Sequence, residues 1–300
     1  MVIAGGSGFL GRPLTTALLQ DRHEVVVLSR GTSSSLPPGA RAVAWDPNGG
    51  VGPWAAEIST AGAVVNLAGE SIAGKRWTGA QKQRIRDSRV HATRSLVAAI
   101  HGSTAPPPVF VSGSAVGYYG PLGDEKATEE KPAGSDFLAR VCEEWEQEAM
   151  RAESDGTRVA RLRTGIVLGK DGGALPEMLP PFRFGVGGPV GSGRQYWPWI
   201  HRDDWIALVR WAIGTPAASG AINATAPQPV SSADFARALG RAMHRPAFMP
   251  APGFALKLLL GEMAEALLLS GQNAVPAKAL RGGFQFRYNT VDEALGAIFV

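Results

Sequence analysis

The first residues of the chain have a spacing suited to holding phosphate. The apolar run Val2-Ile3-Ala4 leads into Gly5-Gly6-Ser7-Gly8-Phe9-Leu10-Gly11. Glycines at this spacing let the backbone turn tightly and approach a pyrophosphate. A helix opening at the last of them adds amide donors and a positive dipole end. Gly5, Gly8, Phe9, Leu10 and Gly11 are therefore the expected cradle of a dinucleotide. A glycine triplet alone would be weak; the strand before it and the helix after it supply the required context. A second group refines the ligand. In such folds an acidic residue about twenty residues beyond the glycines bonds the adenosine ribose 2′-hydroxyl. Here Val27-Leu28 is followed by Ser29, small and neutral, and by the cation Arg30. A 2′-phosphate needs a cation and hydrogen-bond donors, so the expected cofactor is NADP(H). His201 can exchange a proton near neutral pH, but with Trp197 and Trp199 beside it, it reads equally as a satisfied, partly buried histidine.

The elements that must position these groups follow an alternating pattern. Strands are expected at Val2–Ala4, Glu24–Leu28, Ala42–Trp45, Ala63–Leu67, Val109–Ser112 and Arg158–Arg161. Helices are expected at Arg12–Gln20, Gly79–Ile100 and Phe137–Ala152. This alternation predicts an α/β fold, a Rossmann-type doubly wound parallel sheet covered by helices. From Gly165 to Gly193 the chain is rich in glycine and proline and reads as a long functional loop region with small elements. A boundary near Ala226-Pro-Gln-Pro229 divides the chain into residues 1–225 and a mostly helical, smaller cap region, 226–300. Ser231 with Asp234 and Thr290 with Glu293 look like helix starts.

Composition sets the bounds. The 300 residues suit one large or two modest domains, and 45% hydrophobic content is ordinary for a globular chain. A single cysteine, Cys142, excludes an internal disulfide framework and a cysteine-based zinc site, so no metal is expected. That usage fits a reducing cytosol, and no signal peptide precedes the first strand; a cytoplasmic protein is expected. The longest apolar stretch, Phe254–Leu269, contains Lys257, Glu262 and Glu265 and falls short of the roughly twenty residues of a membrane span. It reads as a buried helix or a packing interface, compatible with a homodimer, and no membrane partner is expected. The net charge is +4. Lys75, Arg76, Lys82, Arg84, Arg86, Arg89 and Arg94 are opposed only by Asp87. Beside a nucleotide fingerprint this basic stretch reads as a solvated helix face or a neighbour of an anionic small ligand, rather than as a nucleic-acid surface.

Further motifs occur in a telling order: Val65-Asn66-Leu67-Ala68-Gly69, Val109-Phe-Val-Ser-Gly-Ser114, and Arg163-x-Gly165-Ile-Val-Leu-Gly169. Trp77-Thr…Lys82…Ile85…Ser88-Arg89…Thr93, Gly-Ser-Gly193-Arg-Gln195…Trp199-Ile-His201…Asp204, and Gly282-Gly-Phe-Gln-Phe-Arg287 follow the same order. Together they resemble an atypical branch of the extended short-chain dehydrogenase/reductases, epimerase family proteins of unknown substrate with a C-terminal domain of unknown function. The resemblance covers essentially the whole chain. It implies hydride transfer at a nicotinamide, with Ser114 as the family's serine. It also implies that Arg89 hydrogen-bonds the cofactor, that Leu67, Ala68 and Gly69 pack against its adenosine half, and that Val167 runs past the nicotinamide. Arg163, Arg194 and Gln195 are candidates for an anionic or hydroxylated substrate.

One departure limits this. The family's Tyr-x-x-x-Lys pair, in which a lysine cation lowers a tyrosine pKa, should fall in Ser135-Asp-Phe-Leu-Ala-Arg-Val-Cys142. Depending on register, Phe137 or Leu138 takes the tyrosine place and Val141 or Cys142 the lysine place. The atypical branch shares this loss. The proton must then come from elsewhere, and Tyr118 and His201 are the candidates; Tyr119 is a further phenol nearby. Two functions remain open: an NADP(H)-dependent oxidoreductase or epimerase-like enzyme acting on an unknown small polar substrate, and a non-catalytic NADP(H)-binding sensor or scaffold.

Overall fold

A computed structural model describes residues 1–31, 36–48 and 50–300. Its centre is a seven-stranded sheet. In chain order the strands are β1 (Val2–Ala4), β2 (Val26–Ser29), β3 (Arg41–Ala44), β4 (Val64–Asn66), β5 (Val109–Ala115), β6 (Arg158–Thr164) and β7 (Gly220–Ala224). Across the sheet they run β7-β6-β5-β4-β1-β2-β3, and all pairings are parallel. The strand order therefore reverses between β1 and β4. In open α/β sheets that switch point creates a crevice at the carboxyl ends of the strands, and the glycine run leaves β1 there.

Up to residue 260 the α-helices are α1 (Gly11–Gln20), α2 (Gly79–His101), α3 (Phe137–Met150), α4 (Leu175–Arg183), α5 (Arg202–Gly214), α6 (Ser232–Met243) and α7 (Gly253–Leu260). The two-residue period of the strands decides which side chain faces which layer. Ile3, Val27, Val65, Val111 and Leu162 bury against Leu14 and Leu18 of α1 and Trp205 and Leu208 of α5. Val2, Ala4, Val64 and Phe110 bury on the opposite face against Leu96 and Ile100 of α2. A third cluster joins Leu168, Leu179, Phe182, Trp197 and Trp199 to Phe235 and Leu239 of α6 and to Leu295 and Ile298. The glycine-rich segment after Gly165 thus packs with the C-terminal residues. Ser231 Oγ accepts from the Asp234 amide at the start of α6, and Thr290 and Glu293 form a reciprocal capping box at the helix Val291–Phe299.

One strand was not expected and one expectation needs correction. Strand β7 was missed because Gly220-Ala-Ile-Asn-Ala224 has a single branched apolar residue and does not stand out. The apolar stretch Phe254–Leu269 is not one buried helix. Gly261, at φ +64, ends α7, and a short helical piece and a π-helical turn, Glu265–Leu269, follow. No residue of α7 is buried, and Phe254, Leu258 and Leu259 are 70–81% exposed. The packing-interface alternative is the one compatible with that exposure. Among the described residues no helix is long and apolar enough to cross a membrane. Much of the basic stretch is neutralised locally: Lys82 pairs with Glu262, Arg86 with Glu144 and Asp87, and Arg94 with Glu148.

Candidate active site

The cradle is built as its glycines require. Gly5 has φ +81, and a Cβ there would lie 2.8 Å from the Leu67 carbonyl carbon. A Cβ on Gly11 would sit 2.2 Å from the Gly5 carbonyl oxygen, so α1 can start this close to the turn only without a side chain. The N-terminus of α1 has no side-chain cap and no acidic residue in its first turn. Its positive dipole end is therefore free for an anion. Gly11→Ala should displace the turn, cost about 1–3 kcal/mol of stability and abolish dinucleotide binding; calorimetric binding equal to the wild type would refute this reading of the cradle.

Above the cradle lies a groove of about 480 Å³ lined by Gly5, Ser7, Gly8, Ser29, Arg30, Leu67, Ala68 and Gly69, with Trp45 and Pro47 at one end. Several of the expected residues lie elsewhere. Phe9 does not face this groove. A Cβ on Gly169, Gly172 or Gly173 would lie 2.6–2.9 Å from its ring, so these glycines wrap it. Its ring thus anchors the segment after Leu168, with Arg202 5.4 Å from its centroid. Leu10 precedes α1 and packs against the core, and Gly11 is buried beneath the turn. Val167 is also buried in the core, paired with Ile200. Its neighbours Thr164, Gly165 and Ile166 line the adjoining cavity instead.

That cavity, about 270 Å³, is bounded by the end of β5, by α3 and by a roof at Ala266–Gln272. Arg89 stands at its border with the groove. A Cβ on Gly69 would lie 3.1 Å from Arg89 Cζ, and Arg89 Nη1 donates to the carbonyls of Glu70 (3.0 Å) and Ile85 (2.9 Å). No carboxylate pairs with Arg89 among the described residues, and burial lowers the pKa of its guanidinium. A desolvated cation held by no carboxylate ion pair, with Glu70 acting on it only through its field, suits an anionic or oxygen-rich ligand.

Ser114 lines the same cavity, but its hydroxyl donates to Glu146 Oε1 at 2.7 Å. Glu146, 2% exposed, also accepts from Arg163 Nε (2.8 Å) and Nη2 (2.9 Å) and from Arg161 Nη1 (3.0 Å). Arg163 is therefore not open to a substrate: it is buried, its Nη1 donates to the Tyr119 hydroxyl, and its Cζ lies 3.4 Å from the Tyr118 ring centroid. Burial alone would lower the Arg163 pKa, but the Glu146 carboxylate more than offsets this and raises it. Burial raises the Tyr119 phenol to about 12, opposed by Arg163. Gln195 donates to the carbonyls of Val190 and Leu268 and so ties down the cavity roof.

Neither expected proton carrier reaches the cavity wall. Tyr118 stacks on Arg163. His201 accepts from the Asp203 amide through Nδ1, capping α5, and its ring lies 4.1 Å from that of Tyr288. Burial lowers its pKa. The Tyr-Lys gap can now be assigned: Leu138, Val141 and Cys142 line the cavity, whereas Phe137 turns away onto Trp77. Burial, reinforced by Glu146, pushes the Cys142 thiol up to about 12. Iodoacetamide should accordingly label the folded protein at pH 7 roughly a thousandfold more slowly than the unfolded chain; rapid labelling of the native state would contradict this environment.

Two residues escaped the sequence reading. Tyr196 is the one tyrosine lining the cavity, and its phenol makes no hydrogen bond among the described residues. Glu146 was signalled only indirectly: it lies one helical turn after Cys142, and Arg161 and Arg163 share one face of β6.

Comparison with known proteins agrees with this architecture. The model of the NAD dependent epimerase/dehydratase family matches residues 1–224. The chain belongs to that family. A domain of unknown function, DUF1731, matches residues 251–298. Epimerase family protein ML0860 of Mycobacterium leprae is 42% identical over 295 residues, 98% of this chain and 94% of its own. The crystal structure of human epimerase family protein SDR39U1 with NADPH superposes with a TM-score of 0.90 at 35% identity, covering 99% of this chain and 98% of that one. A nucleoside-diphosphate sugar epimerase from Corynebacterium glutamicum gives 0.78 at 35% identity, with 99% of this chain matching 58% of that longer one. Within the family the protein is an atypical short-chain dehydrogenase/reductase.

Proposed function

We propose that the protein binds NADP(H) and is an oxidoreductase or epimerase-like enzyme acting on a small molecule in the cavity beside the cofactor groove. The observation that carries this reading is the adjacency of the two hollows, which meet where Gly69 touches Arg89, with Ser29 and Arg30 lining the groove and Ser114 the cavity. The glycine cradle and the uncapped start of α1 fit a pyrophosphate, Arg30 fits the 2′-phosphate, and the human relative crystallised with NADPH supports the same choice. When bound, NADP(H) supplies or receives the hydride. Arg89 orients an oxygen of the ligand at the junction, and Glu146 fixes the Ser114 hydroxyl so that its lone pairs are left for a substrate. The apolar wall at Leu138 and Val141 keeps water away from the reacting carbon.

The non-catalytic sensor draws support from the engagement of the Ser114 hydroxyl by Glu146 and from Leu138 and Cys142 standing where the family has Tyr and Lys. The two readings separate in an assay of NADPH oxidation across carbonyl compounds. Turnover that falls at least about tenfold in Ser114→Ala and in Arg89→Ala supports the enzyme. Tight NADPH binding with no turnover on any compound supports the sensor.

A further inference from the structure

We propose that the cavity selects a compact, mainly apolar compound bearing one oxygen function, such as a ketone, aldehyde or secondary alcohol, and excludes nucleoside diphosphate sugars. This rests on the cofactor reading above and concerns what sits beside the nicotinamide.

Three features of the cavity argue for it. Its space is about 270 Å³, and the nicotinamide would take part of that. Its wall is chiefly hydrocarbon, including Ile72, Ile85, Leu138, Val141, Trp145 and Leu267, and among the described residues no Asp, Glu, Lys or His lines it. All of its side-chain hydroxyls but one, and its side-chain amide, already donate to the protein. Ser114 donates to Glu146, Thr164 Oγ1 to the Leu162 carbonyl, Ser270 Oγ to the Glu265 carbonyl and Gln272 Nε2 to the Gly120 carbonyl.

The donors left over are Nε and Nη2 of Arg89, the Tyr196 phenol and the unpartnered indole N–H groups of Trp145 and Trp197. Together they serve one oxygen function readily. They are too few for the ring hydroxyls of a sugar together with the oxygens of two phosphates, and Arg89 is the one cation among them. Each hydroxyl stripped of water without a partner weakens binding by about tenfold or more. A diphosphate would also bring two charges to a single guanidinium in an apolar setting. Apolar wall area, in contrast, rewards a compact hydrocarbon body.

The test uses the full-length protein saturated with NADP⁺. Cyclohexanone, benzaldehyde and cyclohexanol are compared with glucose and UDP-glucose by saturation-transfer NMR, each at millimolar concentration. The same titrations are run on Leu138→Asn, which sets an amide in the hydrocarbon wall, with its melting curve and NADP⁺ affinity recorded to establish that it folds. At least one apolar probe should bind the wild-type complex and weaken about fivefold or more in Leu138→Asn, with no signal from UDP-glucose. UDP-glucose binding more tightly than every apolar probe, or no apolar probe binding, would overturn the proposal. Failure of the cofactor reading would show separately as absent NADP⁺ affinity. The probes would then be ranked on the protein alone, where the same order decides the question.

Discussion

Arg30→Ala should lower NADPH affinity by about 10- to 100-fold and change NADH affinity by less than about twofold. The figure follows from the roughly 1.5–3 kcal/mol carried by hydrogen bonds to charged groups. Arg30 is exposed at the end of β2 and lines the groove beside Ser29 and Gly31. No carboxylate pairs with it among the described residues. Glu70, the one carboxylate-bearing residue lining the groove, follows β4, two strands away from β2. Calorimetric titration of both dinucleotides checks the difference. An equal loss for NADPH and NADH would reduce Arg30 to a general electrostatic contribution.

The second large effect concerns stability. Glu146→Gln should destabilise the fold by about 3–5 kcal/mol, the cost of leaving buried charges without their partner. The carboxylate takes four donors: one from Ser114 on β5, one from Arg161 and two from Arg163 on β6. It thereby ties α3 to two adjacent strands beside the cavity. An amide keeps the shape but replaces acceptor capacity with an N–H₂ group aimed at two guanidinium groups. The change should be read from the midpoint of denaturant unfolding. A loss below about 1 kcal/mol, the range of an exposed pair, would mean that the two arginines find other partners.

The parts of this molecule that could be read from sequence are those whose causes are local. The cradle is one: tight turn, close approach and helix start all lie within Gly5–Gly11. Strands β1 to β6 were foreseen because short apolar runs alternate with helical patterns, although their ends shift by up to three residues. Glu146 was missed because its role exists only once α3 lies across β5 and β6. Val167 came from the family resemblance, and which residue of Ile166–Leu168 faces the cavity is decided by strand parity, a tertiary fact: Ile166 lines it and Val167 meets the core. His201 and Tyr118 were chosen by residue type. The fold uses their other capacities, an imidazole nitrogen as a helix cap and a phenol ring as a platform for a guanidinium. For the run Phe254–Leu269 the buried-helix alternative fails for a related reason: hydrophobicity measures what a segment would gain by burial, and α7 lies outside the core.

The most direct measurement is a crystal structure of the protein with NADPH bound. The predicted result is a 2′-phosphate within hydrogen-bond distance of Ser29 and Arg30, a pyrophosphate over Gly8 and the start of α1, and a nicotinamide ring in the cavity lined by Arg89 and Ser114. A nicotinamide turned out to solvent, or an adenosine ribose remote from Arg30, would contradict it.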